Sequence, residues 1–243
     1  PVVCGSYSVI GVAPDGSRYA AQPAIVDRAG ALAAVRAWLA NGVQIFGANI
    51  AFDVLALVLT ADFSEGAGAG LALLRDFRTA YERGQIRDVL IDQKLIDNAA
   101  GCLGLEQVPS GRWAHHRYNL DYTSQRHGGP ALDKSGDSWR LRYGELEGVP
   151  LAQWPAAAVE YPLADALATA HCAIEQNAPG RGGRWREMAA INFRGADPLA
   201  QSAEQARAAL SLASMSAYGM RTDAPQVERY AAYVAAEYAR VGE

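Results

Sequence analysis

Residues 43–59 read VQIFGANIAFDVLALVL, and this stretch decides the fold class. Val43 to Ala48 is an apolar run of strand length, whereas Phe52 to Leu59 is apolar and typical of a helix. A small residue and a polar one separate the two runs, which predicts a strand that turns directly into a helix. Asp53 falls near the start of that helix, where the helix dipole favours a carboxylate. Taken alone, Asp53 is therefore interpreted as a capping residue.

The segments before this stretch predict a hairpin and a helix. Val2 to Val12 and Arg18 to Val26 are rich in strand-forming residues, and they flank the turn signal Pro14-Asp15-Gly16. Pro23 indicates an edge position in the second strand. Ala29 to Asn41 follows with a helical apolar face, which consists of Leu32, Val35 and Leu39.

The segments after it predict further helices at 70–83, 90–99 and 155–176, the last with Pro155 in its first turn. The linker-like run NAPGRGG at 177–183 then precedes predicted helices at 203–218 and 224–241. The chain is accordingly divided into a first domain at 1–177 and an extension at 178–243. The length of 243 residues suits one α/β domain plus such an extension.

Composition excludes several classes of protein. The net charge of −4 argues against a protein that coats duplex DNA, although it allows an enzyme that grips a short single strand. The three cysteines are widely spaced and show neither a disulfide framework nor a zinc pattern. No glycine-rich nucleotide-binding motif is present. No signal peptide and no apolar run long enough for a membrane span are found, so we expect a cytoplasmic protein without a membrane partner.

A second polar motif lies on the predicted helix at 155–176. Tyr161 and Asp165 are four residues apart, so they share one face of that helix. A carboxylate on a nearly apolar helix needs a partner, and a metal ion is one such partner. Pro162 lies between the two residues and removes the backbone donor to the carbonyl of Ala158. The sequence therefore predicts a bend that would tilt Tyr161 relative to Asp165.

Together and in this order, Asn49-x-x-x-Asp53 and Tyr161-x-x-x-Asp165 resemble the second and third motifs of the DEDD exonucleases, in the subclass with a tyrosine. The neighbouring sequence is similar to that of phage-type family A DNA polymerases, in LDK at 132–134, SWRLRYGEL at 138–146 and WPAAAVEY at 154–161. The resemblance covers residues 1–176 well. It continues more weakly through MSAYGMRTD at 215–223, which looks like the junction leading to a polymerase region.

This resemblance implies a 3′–5′ proofreading exonuclease domain. It implies a ribonuclease-H-like mixed sheet flanked by helices, followed by a helical extension. The partners implied are the single-stranded 3′ end of DNA and a polymerase domain in the same or a longer chain.

The resemblance also implies the site residues and a two-metal hydrolysis with Mg²⁺ or Mn²⁺. Asp53 would hold one ion and Asp165 the other. Tyr161 would orient the attacking water, and Asn49 would position the terminal nucleotide. Phe52 would contact the terminal base, or else lie in the core.

One expected motif is missing from the sequence. The family carries Asp-x-Glu on its first strand, but the only acidic residues before Asn49 are Asp15 and Asp27. We therefore expect the first strand to be absent from this chain and to lie upstream of Pro1. The chain alone would then bind metal weakly and degrade DNA poorly. A non-catalytic scaffold that positions DNA or a polymerase domain is the alternative, and an RNA-trimming nuclease is a third, less favoured hypothesis.

Overall fold

Helices and strands alternate along the chain in the computed structural model, which describes residues 2–107, 112–115, 118–132, 139, 142–177, 197–218, 228–229 and 232–234. The α/β class predicted from the sequence is confirmed. The linker at 178–183 and most of the predicted helix at 224–241 lie outside the described residues, as do residues 133–138 of the family-like stretch.

Four short strands open the chain and pair antiparallel: β1 Cys4–Tyr7, β2 Ile10–Val12, β3 Arg18–Ala20 and β4 Ala24–Asp27. β2 and β3 form the hairpin predicted around Pro14-Asp15-Gly16, and the Asp15 carboxylate accepts a hydrogen bond from the Ser17 amide at 2.9 Å. β1 pairs with β4, with Cys4 opposite Asp27. Each predicted long strand is thus divided into two short ones, and Pro23 lies in the second break.

A parallel pair of strands follows. β5 Ile45–Gly47 is the strand predicted from the apolar run, and it pairs with β6 Ile86–Asp88 so that Gly47 lies opposite Asp88. The sequence analysis did not predict β6, because three residues are too few to show a strand period. β7 Leu105–Gln107 and β8 Trp113–His115 form a further antiparallel pair. In the described part of the chain, the strands therefore associate two by two.

Up to residue 218, the described residues contain these α-helices: α1 Arg28–Ala40, α2 Ile50–Glu65, α3 Ala69–Glu82, α4 Val89–Ala99, α5 Leu120–Arg126, α6 Ala156–Asn177 and α7 Ser202–Tyr218. The predicted helices up to residue 218 are confirmed, and α2 runs well beyond its predicted end. α1 begins where the Asp27 carboxylate accepts a hydrogen bond from the Gly30 amide at 2.8 Å. Among the described helices, none is long and apolar enough to cross a membrane.

The largest hydrophobic core joins α1, α2, α3, β6 and α7. Its members include Leu32, Val54, Val58, Leu73, Phe77, Ile86, Ala206 and Leu210. Two smaller clusters lie beside it, one around Cys172 between α4, α5 and α6, and one around Trp154 beneath β1. α6 lies between the opening strands and α4 and contacts both.

A largely buried ion pair joins β6 to α4, and α7 hydrogen-bonds to it through Ser202. Arg87 on β6 donates to Asp92 at 2.7 Å, to the Ser202 hydroxyl at 3.0 Å and to the Asn177 side chain at 2.6 Å. Asp92 is fully buried, and the Ser202 hydroxyl donates to it as well. α7 belongs by sequence to the extension after 177, yet it packs into the core of the first segment.

We expect Arg87→Met to lower the free energy of unfolding by about 3 kcal/mol, because Asp92 would keep a buried charge without its cation. Urea unfolding followed by circular dichroism measures the change. Arg36→Met is the matched control, since Arg36 pairs with Glu65 at the surface and its loss should cost less than about 1 kcal/mol. If both variants lost the same free energy of unfolding, the buried pair would contribute no more than the surface pair.

Candidate active-site cleft

A cleft of about 750 Å³ lies between the opening strands and the parallel pair. β1 and β2 line one side, β5 lines another, and α2 and α6 contribute side chains. The three residues predicted to be catalytic, Asp53, Tyr161 and Asp165, all line this cleft. The structure therefore brings together two motifs that lie far apart in the sequence.

The turn from β5 into α2 places Asp53 in the cleft. Asn49 adopts a left-handed conformation, with φ 60° and ψ 42°, which asparagine tolerates better than most residues. A Cβ added to Gly47 would lie 2.7 Å from the Ile50 side chain, so glycine is required where strand and helix meet. Asp53 follows on the first turn of α2.

Asn49 and Phe52 lie at the surface beside this turn. The Asn49 side chain makes no capping hydrogen bond, although Asn49 occupies the N-cap position of α2. Phe52 is 66% exposed, so the core alternative for this residue is wrong. Among the described residues, the cleft lining contains Ala48 and Ile50 but neither Asn49 nor Phe52.

Asp88 is a site residue that the sequence analysis missed. It ends β6 beside Gly47, is 4% exposed and accepts the Ile50 amide at 3.0 Å through one oxygen. Its other oxygen accepts the Leu90 amide at 2.8 Å. Asp88 therefore caps both α2 and α4 and replaces the Asn49 side chain as the cap of α2. The only sequence signal was an aspartate immediately before the apolar helix at 90–99.

The environment of Asp53 favours its protonated form. Burial among the atoms of the cleft, together with the negative charges of Asp88 and Asp165, raises the pKa of Asp53 to about 7. The residue nevertheless keeps an exposed surface, so water moderates this effect. A carboxylate held near like charges in a cleft is typical of a site that receives a cation or a proton.

The second motif lies on α6, which continues through Pro162 from Ala156 to Asn177. Tyr161 and Asp165 are both half-buried and line the cleft together. The carbonyl of Ala158, which Pro162 cannot reach with a backbone donor, accepts the Tyr143 hydroxyl at 2.8 Å. The predicted tilt therefore does not remove Tyr161 from the cleft.

The residues of the cleft supply part of a metal site. Carboxylate oxygens are the ligands that Mg²⁺ and Mn²⁺ prefer, and Asp53 and Asp165 are close enough for the charge of one to affect the other. Within the described residues, however, no group of three His, Cys, Asp or Glu side chains could hold a metal ion. The donor type fits, but the ligand set is incomplete.

Comparison with known proteins adds no relative to this description. No protein-family model, no curated protein and no solved structure matches the chain. The family resemblance of the two motifs therefore stays a prediction.

The raised pKa of Asp53 predicts a pH-dependent stability. Between about pH 4, where the unfolded carboxyl ionises, and about pH 7, the folded protein holds a proton that the unfolded chain has lost. The contribution of Asp53 to stability therefore falls as pH rises through this range. We expect Asp53→Asn to become progressively more stable than the natural chain over the same range.

Thermal unfolding of both proteins at several pH values measures this difference. Asp62→Asn is the control, because Asp62 accepts the Gly70 amide in the turn before α3. A gap between Asp53→Asn and the natural chain that does not change with pH would contradict the prediction.

The double cap predicts the cost of losing Asp88. We expect Asp88→Ala to lower the free energy of unfolding by about 2 kcal/mol, since each helix cap contributes about 1 kcal/mol. Relief of the repulsion with Asp53 offsets part of this cost. Asp27→Ala removes the single cap of α1 and is the matched comparison in urea unfolding, with an expected cost of about 1 kcal/mol. A smaller cost for Asp88→Ala than for Asp27→Ala would argue against the double cap.

Proposed function

We propose that this chain is the 3′–5′ exonuclease domain of a family A DNA polymerase and hydrolyses phosphodiester bonds at DNA 3′ ends. The observation that supports the proposal is the convergence of Asp53, Tyr161 and Asp165 in one cleft. Carboxylates brought together against their mutual repulsion are costly to a fold that does not use them. Their order in the sequence and their residue types match the two motifs on which the resemblance rests.

In this proposal, each residue of the cleft has one task. Asp53 and Asp165 would hold Mg²⁺ or Mn²⁺ through their carboxylate oxygens. The bound ions would supply positive charge to the attacking and leaving oxygens of the phosphodiester. Tyr161, one helical turn before Asp165, would orient the attacking water with its hydroxyl.

The surface beside the cleft would receive the substrate. Asn49 lies between the cleft-lining residues Ala48 and Ile50, and its side chain is not used as a helix cap. It would position the terminal nucleotide. The exposed ring of Phe52 would stack on the terminal base, which every base allows because each has an aromatic face.

The arrangement of β1 and β5 supports a ribonuclease-H-like sheet that lacks one strand. At one end of the cleft, the Tyr7 ring packs on Trp38 at 5.0 Å, and the Trp38 carbonyl accepts the Val43 amide at 3.0 Å, so β1 ends near the entry to β5. At the other end, Cys4 and Tyr143 pack against the same cluster, and the Tyr143 ring lies 6.5 Å from the Tyr161 ring. We infer that β1 begins near the carboxylates to which β5 leads, so that the two strands would run in opposite directions on either side of the cleft.

A strand lying between β1 and β5 would pair antiparallel to the first and parallel to the second. We propose that a strand such as the Asp-x-Glu strand of the family would fit this place. Its two carboxylates would complete the ligand set. The polymerase domain and the cytoplasm of a bacterial or phage-infected cell are the partner and the compartment that this function implies.

A non-catalytic scaffold is the second candidate. The observation that favours it is the incomplete ligand set of the described residues. A scaffold would bind a DNA strand without cleaving it, and supplying further carboxylates would not change that.

A fusion experiment distinguishes the two candidates. An apolar strand that carries Asp-x-Glu is fused ahead of Pro1 through a short flexible linker, and a matched fusion carries Asn-x-Gln. We expect the natural chain to shorten a 5′-labelled single-stranded DNA only weakly with Mn²⁺. The Asp-x-Glu fusion should shorten it at least about 100-fold faster, because it restores the second half of a two-metal site.

The same assay contains its controls. Asp53→Asn and Asp165→Asn should each abolish the gain in the Asp-x-Glu fusion, and an RNA of the same sequence tests the third hypothesis. Equal rates for the two fusions would favour the scaffold. Rapid Mg²⁺-dependent digestion by the natural chain would refute the view that its site is incomplete.

A further inference from the structure

Pro162 creates a defect at the turn of α6 that carries the second motif. A proline has no backbone N–H, so the carbonyl of Ala158 loses the donor that every other residue at position 162 would supply. Ala158 is fully buried, and water cannot easily replace that donor. The defect falls between Tyr161 and Asp165, the two residues whose relative position the cleft requires.

Tyr143 compensates for this defect from outside the helix. Its hydroxyl donates to the Ala158 carbonyl at 2.8 Å. A 3-10 helix at Tyr143–Leu146 carries the residue, and its ring lies 5.9 Å from the Trp154 ring and 6.5 Å from the Tyr161 ring. Burial raises the pKa of the Tyr143 hydroxyl, so it stays protonated and remains a donor.

We infer that Tyr143 is a positioning residue, which supplies the hydrogen bond that Pro162 cannot make and thereby holds the Tyr161–Asp165 turn of α6 against the cleft. The importance of that turn rests on the proposed function, whereas the hydrogen bond itself does not. The hydroxyl is committed to Ala158, so Tyr143 acts through α6.

The position of Tyr143 explains how the helix tolerates a central proline. The ring of Tyr143 contacts the ring that precedes Pro162, and its hydroxyl reaches the carbonyl four residues before Pro162. Both contacts fall on the same turn of α6. The side chain therefore replaces one backbone hydrogen bond and restrains the direction of Tyr161 at the same time.

A double-mutant cycle with Tyr143→Phe and Pro162→Ala tests this inference. Tyr143→Phe removes only the hydroxyl and should lower Tm by about 5 °C, because it leaves a buried acceptor without a donor. Pro162→Ala restores a backbone donor to the same carbonyl. In the Pro162→Ala background, Tyr143→Phe should therefore cost less than half as much, which a sum of independent effects would not give.

The readout specific to positioning is the NMR signal of the site itself. In Tyr143→Phe, the ring resonances of Tyr161 and the carboxyl carbon of Asp165 should shift, and in the double variant they should return toward those of the Pro162→Ala variant. Tyr118→Phe is the control, since it removes a hydroxyl that donates to Asp97 at 2.9 Å, outside the Ala158 turn. It should lower Tm without moving the Tyr161 and Asp165 signals, and Pro162→Ala should not rescue it.

Two results would overturn the inference. One is a Tyr143→Phe cost that is the same with and without Pro162. The other is a Tyr143→Phe variant in which the Tyr161 and Asp165 signals do not move. Neither measurement needs metal or DNA, so an inactive Asp-x-Glu fusion would count against the proposed exonuclease and not against the role of Tyr143.

Discussion

The Asp88 carboxylate fixes the starts of two helices, α2 and α4. One of its oxygens accepts a hydrogen bond from the first amide of α2, and the other accepts one from the Leu90 amide in the first turn of α4. Two helices therefore begin at one buried side chain, which lies at the end of a parallel strand pair. The ends of parallel strands lie at one edge, and helix N-termini there favour negative charge. The direction of α2, and with it the position of Asp53, depends on this double cap. Because Asp88 caps α2, the Asn49 side chain makes no capping hydrogen bond.

The strand-to-helix turn at 43–59 and the long helix α6 could be predicted from the sequence because their signals are local. The apolar run from Val43 to Ala48 and the start of the nearly apolar helix at Pro155 each depend on residues that are close in the sequence. Asp88 could not be assigned in this way, since its bond to the Ile50 amide spans 38 positions and its strand has only three residues. No pattern in the neighbouring sequence indicates the hydrogen bond between Asp88 and the Ile50 amide.

The predicted site shows the same limit. The spacing of Tyr161 and Asp165 places both on one helical face, but no spacing places them beside Asp53. That expectation came from the resemblance alone, and the shared cleft agrees with it. The sequence revealed the defect at Pro162, whereas the donor that compensates for it comes from a 3-10 helix with no periodic pattern.

The carboxylates of this protein fall into two kinds of environment. Asp97 on α4 accepts from Arg126, Tyr118 and Gln93, so its buried charge is neutralised and hydrogen-bonded. Asp53 instead faces Asp88 and Asp165, and no salt bridge in the described part of the chain includes it. The well-paired group stabilises the fold, whereas the crowded group is the one that the proposed function uses.

α7 packs into the main hydrophobic core, so its detachment would disturb the rest of the structure. Leu210 and Ala206 lie in the same core as Val54 and Phe77, and Ser202 completes the hydrogen bonds of Asp92 and Arg87. Loss of α7 would expose the backs of α2 and α3 and leave Asp92 with fewer partners. The helix after residue 177 therefore belongs to the same cooperative unit as the strand that holds Asp88. Detachment of α7 would therefore also loosen the strand that ends at Asp88.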